Sequence, residues 1–189
     1  MPDYAAIADV SETLKKMLQE GLDSTFGVNQ VIVTLDSPKK IEEENNTENK
    51  LLSVFLYKVL ENSDLKNRPA AVSNSNVKKP TPLSFDLYYM LTPYGADEDN
   101  KLKILGRAAQ IMYDNAILQG SLLQKKYSGT PEQLKISFTP LTQESIVQTW
   151  QALEASMRVA VYYLVTPVEI ESLRADSLTP VTERGFGEP

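Results

Sequence analysis

The chain has 189 residues, 42% of them hydrophobic and 23% charged, and a net charge of −6. Its 19 Lys and Arg are scattered among 25 Asp and Glu, which argues against a nucleic-acid partner, because phosphate-backbone binding draws on clustered cations. With no Cys and no His, disulfides, thiolate nucleophiles and Ser-His-Asp machinery are excluded, leaving a carboxylate pair, a Ser-Lys arrangement or a hard cation held by oxygens as the chemistry still open.

From Tyr4 to Glu20, apolar residues recur at Ile7, Val10, Leu14, Met17 and Leu18, a spacing of three and four that predicts an amphipathic helix. Gly21 stands where such a helix would end. VIVTLD (31–36) reads as a β-branched strand, and the polar 37–50 as a surface loop whose Glu42, Glu43 and Glu44 are solvated, a cation site being the alternative. LLSVFLYKVL (51–60) is apolar on both faces and predicts a central strand. At ten residues, broken by Ser53 and Lys58, it is too short to span a membrane.

The connection over 61–82 is long for a compact domain. A strand follows over 82–93, then an acidic turn and a helix over 101–115 with Leu102, Leu105, Ala108, Ala109 and Met112 on one face. LKISFTP (134–140) alternates Leu134, Ile136 and Phe138 inward, Thr142 is placed to cap a helix over 141–154, and 157–170 is the last strand. The tail over 172–189 has no period and reads as an extended arm after a domain over 1–171. The pattern predicts a single α+β domain with a mixed, largely antiparallel sheet flanked by helices. The eight glycines spell no dinucleotide or P-loop fingerprint, and no cofactor or metal is expected. MPDYAAIADV lacks the basic-then-apolar build of a signal peptide, so the expected location is the cytoplasm of the producing cell.

One hexapeptide is nearly doubled, YYMLTP at 88–93 and YYLVTP at 162–167. The flanks differ, so an internal repeat does not explain it. Two strands built alike do: in each, one Tyr faces the core and its neighbour the other face, and Thr-Pro ends the ladder, with both exits at comparable positions. The outward tyrosines face packed helices or another subunit.

The ordered set DVSETLKKML, VTLDSP, LSVFLYKVLENSDLKNRPA, PLSFDLYYMLTPYG, KILGRAAQIMYDNAIL and FTPLTQESIVQTWQALEASMRVAVYYLVTPVEI resembles the cap, or tail-terminator, proteins of phage-tail-like contractile injection systems. The resemblance covers roughly residues 3 to 184. It implies a tail-terminator-like fold and a non-enzymatic subunit. That subunit forms a ring, expected to be a hexamer, on the distal end of the inner tube and sheath, where it ends polymerisation and holds the extended sheath. The implied partners are copies of itself and the tube and sheath subunits. Expected interface residues are Asn67, Arg68 and Pro69 in the long connection, the pairs Tyr88 and Tyr89, and Tyr162 and Tyr163, together with Arg107, Trp150, Arg174 and Arg184. For Trp150 a core role, and for Arg107 an intrachain pair, stand as alternatives. The rival functions are a baseplate or tube-adaptor subunit of the same kind of particle, and a hydrolase using Asp97, Glu98 and Asp99.

Overall fold

The computed structural model describes residues 4–44, 47–66, 77–78, 81–120, 133–172 and 176–177. Helix α1, Ala6–Phe26, buries Val10, Leu14, Leu18 and Leu22 in one stripe, with Ile7 and Met17 packed beside them. It runs past Gly21 and ends at Gly27, whose φ of 98° suits a glycine and whose N–H bonds Asp23 O. Gly21 instead permits a close approach: a Cβ there would lie 2.5 Å from Ile111 Cδ1 on a neighbouring helix.

Strand β1, Ile32–Thr34, leads into a short helix, α2, Pro38–Glu43, within the stretch expected to be loop. Ser37 caps it by accepting the N–H of Lys40, Pro38 opens its first turn, and Ile41 packs with Leu51 and Tyr94. The remaining elements are β2, Leu51–Glu61, β3, Val77–Lys78, β4, Leu83–Tyr94, α3, Glu98–Asp114, β5, Ile117–Gln119, β6, Gln133–Phe138, α4, Gln143–Ala152, β7, Val161–Ile170, and β8, Asp176–Ser177.

Among the described residues, six strands form one sheet in the order β1-β2-β4-β7-β6-β5. β1 is parallel to β2 and every other neighbouring pair is antiparallel, so the mixed, largely antiparallel α+β domain is what forms. β3 and β8 pair separately as a two-stranded antiparallel sheet. Helices α1 and α3 cover one face of the large sheet and build the main core with Leu52, Val54, Leu87, Tyr89, Leu91 and Val165. Helix α4 covers the other face, where Trp150, Met90 and Tyr162 form a smaller core. No described helix is long and apolar enough to cross a membrane.

The doubled hexapeptide lies on the two neighbouring strands β4 and β7, with Tyr89 opposite Tyr163 and Met90 opposite Tyr162. Because the strands are antiparallel, their exits lie at opposite ends of the sheet, not at comparable positions. Nor does Thr-Pro end either strand. β4 continues through Pro93 to Tyr94, although its ladder with β7 stops at Leu91. β7 continues through Pro167 because Thr166 and Pro167 together face Asp86 across a register shift, a bulge where a missing N–H is tolerated.

Three further expectations change. β2 is central only over Leu51–Ser53, where β1 pairs with it, and its later half is exposed. The buried face of α3 is Ile104, Leu105, Ala108, Ile111 and Met112. That is a rotation from the expected face, and it leaves Leu102 55% exposed. Phe138 is 60% exposed, since it ends β6 beyond the helix cover and meets the Tyr163 ring edge-on at 5.8 Å.

Candidate interaction surface

Side chains alternate across a strand, so each hexapeptide sends one tyrosine to each face. Tyr89 and Tyr163 enter the core beneath α1 and α3. There the Tyr89 hydroxyl lies 2.8 Å from Ser11 Oγ, which itself donates to Ile7 O, and burial pushes the Tyr89 phenol well above its ordinary range. Tyr162 faces α4, where Trp150 Nε1 donates to its hydroxyl at 3.2 Å. Tyr89, Tyr162, Tyr163 and Trp150 are therefore packed inside the chain itself; Trp150 anchors α4 to the sheet.

Tyr88 is different. It is half-buried and, with Tyr57 and Lys58, lines an open hollow of about 410 Å³ between β2 and α4, closed on the helix side by Leu141, Thr149 and Leu153. Tyr57 meets Tyr88 edge-on at 6.3 Å and Tyr162 at 5.8 Å, and burial pushes its phenol up to about 12. Lys58 Nζ stands 5.1 Å from the Tyr88 ring centroid, a cation–π contact.

Beside this hollow runs the outer edge of β2. β1 pairs with Leu51, Leu52 and Ser53 and then stops. From Val54 to Glu61, β2 has a strand partner on the β4 side alone among the described residues, and Val59 and Leu60 are exposed there. An open edge of this kind is a template for another strand. Lys58 and the exposed Val59 and Leu60 escaped the sequence reading, which expected a central strand from the apolar run. The lysine in its later part was the available signal.

A second surface is built by the chain between α4 and β7, read from sequence as part of the last strand. Residues 157–160 are not strand. Arg158 turns inward, with its Nε 3.5 Å from Glu42 Oε1 and its guanidinium 5.1 Å from the Tyr94 ring centroid. Glu42 also accepts the N–H of Ser156, and Lys39 pairs with Glu154. Glu42 is thus a tie between α2 and this segment, not solvated decoration. Pinning Arg158 inward sends Met157 and Val159 outward, and they surround a hollow of about 270 Å³ with Leu102.

Arg107 is half-buried on α3 and donates from Nη1 to Gln110 Oε1 at 2.8 Å. Asn67, Arg68, Pro69, Arg174 and Arg184 lie outside the described residues. The acids weighed for hydrolysis serve the start of α3: Asp97 accepts the N–H groups of Asp99 and Asn100, while Glu98 pairs with Lys101 and Asp99 with Lys103. Among the described residues, no group of three or more Asp or Glu could hold a metal ion. What the arrangement offers is edges, aromatic hollows and exposed apolar prongs, which are means of binding protein.

The model of the Pvc16 N-terminal domain family matches residues 9–184. No curated protein matches the chain. Among solved structures, the chain is similar to the sheath/tube terminator of an extracellular contractile injection system in its extended state. The TM-score is 0.70 at 19% identity, covering 97% of this chain and 63% of that one. It is also similar to the tube-terminating cap of the anti-feeding prophage, with a TM-score of 0.66 at 18% identity, covering 96% of this chain and 61% of that one. The chain therefore spans less than two thirds of the length of either structure.

Proposed function

The chain belongs to the Pvc16 N-terminal domain family, and from that membership we propose that it is a structural terminator seated on the distal end of the tube and sheath of a contractile injection system. The observation that carries the reading is the fold. Nearly the whole chain, 97%, follows the path of a sheath/tube terminator. The parts of the two solved structures beyond the match lend nothing to it.

In this reading copies of the chain close into a ring, expected to be a hexamer, because head-to-tail contacts that close give rings. A ring whose outer face does not copy the docking surface of the tube stops growth there and holds the last sheath layer extended. Tyr88 and Arg107, with Asn67, Arg68 and Pro69, are assigned to contacts between subunits. Residues 172–189 are assigned as an arm, with Arg174 and Arg184 reaching a neighbour. No turnover is involved, since termination needs shape and edges and not a proton shuttle. Assembly takes place in the cytoplasm of the producing cell.

The test is particle morphology. Tubes assembled without this protein should have widely scattered lengths, and gold-labelled protein should mark the end opposite the baseplate in electron micrographs. Label at the baseplate would favour the adaptor reading, and label along the shaft would end both. Deleting residues 172–189 should weaken rings while the circular dichroism of the domain is retained.

A further inference from the structure

We infer that neighbouring copies join by adding β5 of one subunit to the free edge of β2 of the next, so that one sheet continues from subunit to subunit. The inference rests on the terminator reading for its ring and goes beyond it in naming the two faces that meet.

The two faces are the opposite edges of the same six-stranded sheet. On one, β2 is open beyond Ser53 among the described residues. On the other, β5 is the last strand among the described residues. Strand directions agree. β1 runs parallel to β2, and four antiparallel steps through β4, β7, β6 and β5 return β5 to the direction of β2. A β5 added in the same sheet orientation therefore continues the parallel ladder that β1 begins and abandons.

The side chains agree as well. Lys58 sits opposite Tyr88, on the face covered by α4, and Leu60 two residues later shares that face. Ile117 sits opposite Lys135, whose neighbours Leu134 and Ile136 point into the core of the other face, so Ile117 also lies on the α4 side. Leu60 is 42% exposed and Ile117 is 53% exposed; pairing them covers both.

Charge selects the same partnership. Lys58 has no carboxylate partner among the described residues, only the Tyr88 ring. Asp114 is exposed and has no cationic partner among the described residues. It is the last residue of α3, where the helix dipole disfavours a negative charge. With Ile117 opposite Leu60 in a parallel register, residue 115 falls opposite Lys58, and Asp114 comes within reach of the ammonium of the neighbour. A contact between two different edges is head-to-tail, the type that closes into rings.

The experiment exploits the absence of Cys from the chain. Adjacent strands hold Cα atoms about 5 Å apart, within disulfide range. A chain carrying both Leu60→Cys and Ile117→Cys should give a ladder of covalent oligomers on oxidation, alone at high concentration or co-assembled with tube and sheath subunits. The single-Cys chains should stop at dimers at most. Lys58→Glu and Asp114→Lys should each raise the concentration for half-assembly about tenfold, and the two together should restore it. Rings that form without the ladder and ignore both charge reversals would overturn this contact and leave the terminator reading standing. A chain that stays monomeric and is absent from particle ends would overturn that reading, and this contact with it.

Discussion

Two glycines inside helices should respond to the same substitution with opposite sign. Gly21 lies within α1, and a Cβ there would sit 2.5 Å from Ile111 Cδ1 and 2.8 Å from its Cγ1, against about 3.5–4.0 Å for an ordinary carbon contact. Ile111 is buried, and its branched side chain has little freedom to swing away. Forcing such an overlap into a packed core costs about 1–3 kcal/mol. Replacing glycine by alanine in a helix returns about 1 kcal/mol. Gly21→Ala should therefore lose about 1 kcal/mol net, seen as a Tm lower by about 2–4 °C for a chain of this size. Gly106, within α3, has nothing within 4 Å of its Cβ position, so Gly106→Ala should gain about 1 kcal/mol. Urea titration of both variants beside the parent, with m-values compared, is the assay. Ile111→Val removes the nearest atom, and combined with Gly21→Ala it should be more stable than the sum of the two single changes by about 0.5 kcal/mol. If Gly21→Ala stabilised as much as Gly106→Ala, the close approach of α1 and α3 would be refuted.

Tyr89→Phe deletes a buried hydroxyl bonded to Ser11, and chemical denaturation should show a loss of about 1 kcal/mol. Arg158→Ala removes both the guanidinium over Tyr94 and the partner of Glu42. The chain around Met157 should then be cut by protease faster than in the parent, with cleavage mapped by mass spectrometry. The phenols of Tyr57 and Tyr94 are pushed by burial from the ordinary 10.0 up to about 12. The unfolded chain thus loses these protons first, and stability, intact below pH 10, should fall as pH rises toward 12. Absorbance at 295 nm should show their tyrosinate appearing together with unfolding, and gradual ionisation of a folded chain would contradict this. Asp36 is held below its ordinary value of 3.8 by hydrogen bonds from Lys40 and Thr34. Its contribution is present above pH 3.8 and lost as pH drops below it, so Asp36→Asn should flatten the stability profile in that acidic range.

Local pattern determined a good deal by itself. Three-and-four spacing specified the apolar stripe of α1, Thr142 marked the start of α4, and alternation split each tyrosine pair between two faces. These are properties of a few adjacent residues, which is why they can be read without knowing what packs on them. The ordered motifs likewise sufficed for the family and for the mixed, largely antiparallel fold.

Other features depended on which distant segments meet. Gly21 could be understood as a point of helix contact only once Ile111 was brought against it from the middle of α3. Pro167 could remain inside a strand because Asp86 faces it across a bulge. LLSVFLYKVL is apolar over most of its length, yet all of it beyond Ser53 became an open edge among the described residues, since β1 is three residues long and runs out there. Burial along that strand is decided by the length of its neighbour, a quantity its own residues do not encode. The candidate surface at Tyr57, Lys58 and Leu60 is the consequence, and it exists in the tertiary arrangement alone.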